Sequence, residues 1–313
     1  MGPLQTVVDL VKLARGRTPQ VPYLSGTTVK GGAGRDVTIQ VPKGSYITDV
    51  ARLRQTVLAI VNDGVSKSDL LTIDEFTGKV LTTTPHVSSI LTADDGQFAV
   101  YIGDGPLPGK ANGTTVYFAG SSVQRLVLPT VNNSYPLGFV NGKVYYRGSP
   151  TDDYQTWSLY EWRPGTTTAR RVSTIPSATA LSNDGTVAAS SSNVTDYVSC
   201  TNVASVATGS RLWRSCDYRV TGFSPDDRTA LGGPYYREGT GDFVVAAIDA
   251  KSGTVLHEWK GPFRDPVAED DEHVLITTFR GENAPNAILR CTIATGACEL
   301  ATPLTKTAVE LGT

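Results

Sequence analysis

Seven aspartates sit in Asp-Asp or Asp-Gly turns: Asp94, Asp95, Asp184, Asp226, Asp227, Asp270 and Asp271. Gathered carboxylates are what calcium needs, since it takes about six to eight oxygen ligands. Here the acids are spread over successive repeats, each at a position where an Asp side chain bonds its own backbone, so they read as turn chemistry. The three histidines, His86, His257 and His273, occupy unlike places. His86 is the one singled out, because it follows an outer strand at the crossing to the next inner strand, a place from which a side chain can face a ligand. The chain has no G-x-S-x-G elbow, no H-E-x-x-H pair, no phosphate-cradling G-x-x-x-x-G-K-S/T and no G-x-G-x-x-G behind a strand. Serine hydrolase, zinc protease and nucleotide-binding chemistries are thus without motif support, and no cofactor or metal is expected.

The four cysteines form two local pairs. Cys291 and Cys298 bracket a short turn, across which the side chains of a hairpin can face each other at bridgeable distance. Cys200 and Cys216 bracket a longer loop. Neither pair has zinc-site spacing. Two disulfides are expected, with reduced buried thiols as the alternative, and disulfides place a domain outside the cytoplasm.

What must position these residues is a repeat. An apolar run, a polar turn and a second apolar run recur at 90–100, 137–145, 180–188, 222–230 and 267–275, with a degenerate copy at 50–58. Taking Gln55, Gly96, Gly142, Gly185, Arg228 and Glu272 as equivalent, successive separations are 41, 46, 43, 43 and 44 residues. Asn-Gly, Asp-Gly and Asp-Asp between apolar runs are hairpin turns, and each pair is followed by a variable loop and two further strands. Four strands at this period make one blade of a β-propeller. Near the amino end, three strands between 21 and 42 lack a first strand, and 307–311 reads as a lone first strand. Together they make a seventh blade that closes the ring and removes its exposed edges, six blades being the alternative. The fold class is therefore all-β, a seven-bladed propeller over 19–313. Residues 1–18 form a helix or linker, because Leu4, Val7, Val8, Val11 and Leu13 have helical spacing within 3–17.

The S-x-D-G turn at 182–185 and the S-P-D-D turn at 224–227, recurring at blade spacing, make the chain resemble the WD-repeat-like and TolB-like β-propeller superfamily over residues 20–313. The resemblance implies a rigid platform for protein or ligand binding.

With a net charge of −2, the chain lacks the broad basic surface that phosphate backbones demand, so nucleic acid is not an expected partner. No run approaches the roughly 20 apolar residues of a membrane span. The expected partner is a protein or small ligand, met by a monomer. The loops between second and third strands vary most, at 103–113, 148–156, 191–210, 233–241 and 280–286, and loops on a rigid scaffold are where binding residues concentrate. Two of them combine aromatic rings with charge, Asp152, Asp153 and Tyr154 in one and Tyr235, Tyr236 and Arg237 in the other. His86 and the carboxylates Asp265 and Asp153 are candidates at the channel mouth, and Arg264 is a further binding candidate. The enzymatic alternative is a propeller hydrolase or lyase using Asp153 and Asp265; a third reading is a structural module whose loops bind nothing specific.

Overall fold

The computed structural model describes residues 4–65, 67–93, 95–104, 113–150, 157–192, 199–234, 244–279 and 284–312. Among these, apolar runs punctuated by Gly and Asp turns build seven sheets, and the fold is a seven-bladed β-propeller. Blade 1 holds Tyr46–Leu53, Thr56–Asn62, Ser68–Asp74 and Val80–Pro85. Blade 2 holds Val87–Thr92, Ala99–Asp104, Thr114–Ala119 and Val123–Leu128. Blade 3 follows with Asn132–Val140, Lys143–Ser149, Ser158–Trp162 and Arg170–Pro176. Blade 4 contains Ala178–Leu181, Val187–Ser192, Cys200–Ser205 and Arg211–Ser215. In blade 5 the strands are Arg219–Phe223, Thr229–Gly233, Val244–Asp249 and Val255–Lys260, and in blade 6 Phe263–Ala268, His273–Thr278, Ile288–Thr292 and Cys298–Leu300. Blade 7 takes Val309–Leu311 as its first strand, ahead of Pro22–Ser25, Thr28–Gly31 and Val37–Thr38, which is the expected pairing of the two chain ends.

The chain divides into two compact units, Gln20–Ser173 with Glu310–Thr313, and Met1–Pro19 with Thr174–Val309. Each builds its core from side chains of adjacent blades, so the blade strands are apolar on both faces. In the first unit, Leu24 and Val29 of blade 7 meet Val50 and Val57 of blade 1, while Ile102 and Val116 of blade 2 meet Tyr146 and Trp162 of blade 3. In the second, Val203 and Trp213 meet Val220 and Ile248, and Leu231 and Trp259 meet Phe263 and Leu289. Two tryptophans staple neighbours there. Trp213 Nε1 donates to the Ala250 carbonyl at 2.8 Å, and Trp259 Nε1 to the Gly296 carbonyl at 3.0 Å, each reaching a turn of the next blade. These bonds satisfy the indole donors, so burial of the rings carries no polar penalty.

The turn aspartates do what their positions suggest. Ser182 and Ser224 each donate to the acid two residues on, Asp184 and Asp226, at 2.7 Å. Asp227, at φ 60°, fills the left-handed position that Gly185 fills in blade 4, so the equivalent of Gly185 is Asp227 and not the Arg228 that the repeat spacing suggests. The acids also tie blade to blade: Asp227 accepts from the Asn183 and Asp184 amides, and Asp271 from the Asp226 amide.

At the amino end, the expected helix over 3–17 is confined to one 3-10 turn, Leu10–Lys12, capped by Asp9. Gln5–Val7 instead forms a fifth, parallel strand on the outer edge of blade 5. Val7, Val8 and Val11 are β-branched and stiff in a helix, and the open edge of Val255–Lys260 offers ladder bonds that a short isolated helix cannot match. Among the described residues no helix is long and apolar enough to cross a membrane.

Candidate functional site

Antiparallel pairing sends the second-to-third-strand loop of each blade to the end where its first strand begins. The pairing of first and second strands is irregular close to that end in blades 1 to 6, for example between Ile47 and Asp49, Ala178 and Ala180, and Phe263 and Pro266. A bulge inserts an unpaired residue and re-aims the side chains beside it, so this recurrent irregularity shapes what the strand ends present.

Of the sequence candidates, Asp152, Asp153, Tyr154, Tyr235, Tyr236 and Arg237 lie outside the described residues, as does the side chain of Asp265. Arg264 lies in the irregular stretch of blade 6, exposed, with its guanidinium carbon 4.4 Å from the centroid of the Phe279 ring. Phe279 immediately precedes the loop at 280–286. His86 is exposed, and its backbone N–H donates to Asp69 at 3.3 Å. Its φ of 59° is matched by Ser177 at 49°, in the corresponding outer-to-inner connection of a later blade. The position is thus a left-handed turn that the fold repeats with different side chains.

The structure adds a cluster that sequence reading passed over. Tyr135 and Arg147 are directly opposed in the first two strands of blade 3, and Trp157 enters its third strand. The Arg147 guanidinium lies 5.1 Å from the Tyr135 ring and 5.2 Å from the Trp157 ring, between two aromatic partners. Cation–π contacts at this range contribute about 0.5–2 kcal/mol each, depending on exposure. Tyr135 is 39% exposed. The cluster flanks the loop at 148–156, where the acids and Tyr154 were expected to act. Arginine and aromatic residues thus border the second-to-third loops of blades 3 and 6.

Both disulfides are present. Cys291 and Cys298 are register partners across the outer hairpin of blade 6, with Cα atoms 4.1 Å apart. Cys200 and Cys216, 4.0 Å apart, enclose the third and fourth strands of blade 4 where a loop was expected. That bridge stands at the loop-bearing end and fixes the base of the segment before Cys200 to the connection into blade 5.

Among the described residues no group of His, Cys, Asp and Glu has the arrangement of a metal site. Burial pushes the Asp227 carboxyl above its usual range, but its place is a hairpin turn and its partners are the backbone amides of Asn183 and Asp184 and the Asn183 side-chain amide. Asp184 is held below its usual range, against the opposing effect of burial, by bonds from Thr186 and Ser182.

The sequence matches no family model and no curated protein. Solved structures do resemble the fold. A prolyl oligopeptidase B from Galerina marginata aligns with a TM-score of 0.58 at 9% identity, covering 95% of this chain and 52% of that one. An uncharacterized protein from Listeria monocytogenes EGD-e aligns with a TM-score of 0.56 at 8% identity, covering 87% and 88%. A TolB from Acinetobacter baumannii is also among the neighbours, with a TM-score of 0.48 and 14% identity over 82% and 62% of the two chains. These likenesses carry the fold alone. The chain spans about half the length of the peptidase.

Proposed function

We propose that this chain is a non-catalytic binding propeller, working outside the cytoplasm as a monomer, that recognises a protein or small ligand through its second-to-third-strand loops. The observation that carries this reading is the pairing of arginine with exposed or half-buried aromatic rings at the bases of two such loops: Tyr135, Arg147 and Trp157 in blade 3, Arg264 and Phe279 in blade 6. Tyr, Trp and Arg are the residue types that dominate interface hot spots, and rings stacked on a guanidinium are already ordered before a ligand arrives. The two disulfides support the oxidising compartment. No observation on the described residues favours the hydrolase or lyase alternative, whose acids Asp153 and Asp265 have side chains outside the description.

The test is affinity capture from an extracytoplasmic extract by the immobilised chain, beside a Trp157→Ala/Arg264→Ala variant with an unchanged melting temperature. A ligand held by the parent chain and lost by at least about tenfold from the variant supports the proposal, given that a hot-spot residue contributes roughly 2 kcal/mol or more. Equal capture by both refutes it.

A further inference from the structure

The amino-terminal segment crosses the outer edges of blades 5 and 6 and belongs to the compact unit that contains them. Gln5–Val7 pairs in parallel with Glu258–Lys260, continued by Glu258 N–H to the Leu4 carbonyl and Val8 N–H to the Lys260 carbonyl. Leu10 is 4% exposed and enters the core between blades 5 and 6, with Val8 and Leu13 packed beside it. The chain then pairs with the outer strand of blade 6 through Leu300 N–H to the Ala14 carbonyl and Gly16 N–H to the Leu300 carbonyl. A side chain at Gly16 would meet the Glu299 carboxylate, which packs directly over this glycine. Arg290 closes the far end by donating to the carbonyls of Arg17 and Thr18 at 2.9 and 3.0 Å.

The propeller side of this seam is built to receive an extended peptide. Buried Glu258 takes a bond from Gln5, and buried His257 meets the Thr6 hydroxyl at 2.8 Å. The outward face of the segment is left open. Leu4, Val7 and Val11 are 63%, 79% and 76% exposed, and a cavity of about 390 Å³ remains between the segment and the turn at 295–298. Strand addition with one anchoring side chain is a standard mode of peptide capture.

We propose that the outer rim of blades 5 and 6 is a peptide-docking groove. It takes an extended segment that adds in parallel to Val255–Lys260, inserts one leucine-sized side chain and ends in carbonyls clamped by Arg290. Residues 4–18 are its resident occupant, held non-covalently and exchangeable for the same sequence supplied in trans.

The experiment uses the full chain with a protease site inserted between Gln20 and Val21, cleaved after folding and offered a fluorescent synthetic peptide of residues 4–18. The cleaved segment is expected to co-purify and to be displaced by the peptide at one per chain. A Leu10→Asp peptide competes about ten- to a hundredfold less well, because a buried leucine is lost. Release of the segment without uptake of peptide, or retention without exchange, overturns the proposal. Should the insertion prevent folding, hydrogen exchange on the intact chain decides: the Val8 and Gly16 amides are expected to exchange at least about a hundredfold faster than the Leu289 amide, through local opening. Equal protection overturns it.

Discussion

Replacing Arg290 by methionine is expected to cost far more than replacing it together with Glu269. Arg290 is 3% exposed and spends all five of its N–H donors: two on Glu269, one on Glu299 and two on the carbonyls of Arg17 and Thr18. The Glu269 side chain is fully buried, and its other described cation is Arg17, 3.3 Å away and 43% exposed. Arg290→Met therefore takes the two-bond partner from a desolvated carboxylate and leaves it to half-exposed Arg17, a perturbation that costs about 3–5 kcal/mol. With an unfolding entropy of about 2.1 cal/mol/K per residue over 313 residues, or roughly 0.66 kcal/mol/K, the melting temperature falls by about 5–8 °C. The double variant Arg290→Met/Glu269→Leu removes both charges and fills the space with apolar atoms, so it recovers most of that loss. Arg290→Lys falls between, since an ammonium supplies three donors in place of a planar fork. Urea denaturation of the parent chain, Arg290→Met, Glu269→Leu and the double variant gives the coupling energy. A single variant within about 1 kcal/mol of the parent chain, or a double variant no better than the single, would refute the premise that the pair is desolvated.

Three further outcomes follow from other parts of the molecule. The disulfides span 7 and 16 residues of sequence, so loop-closure entropy assigns about 2.4 kcal/mol to Cys291–Cys298 and about 3.1 kcal/mol to Cys200–Cys216; paired alanine variants in urea should lose stability in that order, and losses near zero for both would contradict it. Gly142 and Gly296 share a left-handed φ, of 73° and 69°, but a Cβ meets nothing at Gly142 and lies 1.9 Å from the His257 ring at Gly296. Gly142→Ala should thus cost about 1–2 kcal/mol and Gly296→Ala distinctly more by thermal melting, equal costs being the contrary result. Glu161 is held below its usual range, chiefly by the hydrogen bond from Arg170, with Lys143 adding to it. A depressed carboxyl contributes stability above its unfolded value of about 4.3 and loses it as pH falls through the folded one, so Glu161→Gln should be the weaker protein at pH 7 and draw level toward pH 3. A gap of unchanged size across that range would exclude the pair as its source.

The blades were legible because short apolar runs recur at a nearly fixed period and most of the turns between them carry Gly, Asn or Asp, Arg54 of blade 1 being an exception. The pairing of Val309–Leu311 with Pro22–Ser25 was legible for a related reason: three strands at one end lacked a partner that the other end supplied. The amino-terminal strand was not. Its apolar spacing is compatible with a helix, and what overrides that spacing is the free edge at 258–260, some 250 residues away and invisible to local periodicity. The stack of Tyr135, Arg147 and Trp157 escaped notice for the same cause, since cross-strand neighbours are set by register and not by nearness in sequence. A signal was available at Trp157, an aromatic residue at the edge of a variable loop.

The two ends of the blades answer to different constraints, and this is why the binding reading attaches to one of them. At the first-to-second hairpins, residues are spent on the turn itself: Ser182, Asp184, Ser224, Asp226 and Asp227 bond one another and the backbone of the adjacent blade, which leaves their acids little capacity for a ligand. At the opposite end the second-to-third connections of blades 2 to 6 are longer, and the first strands of blades 1 to 6 pair irregularly. There Arg147 rests on the rings of Tyr135 and Trp157, and Arg264 on that of Phe279. A residue type needed by the turn would recur from blade to blade. Arg147 and Arg264 do not recur: they occupy different strands of their blades, so the repeat does not demand them. Side chains that a repeating fold does not require, ordered by stacking and placed beside its longest loops, are where selection for recognition would leave its mark.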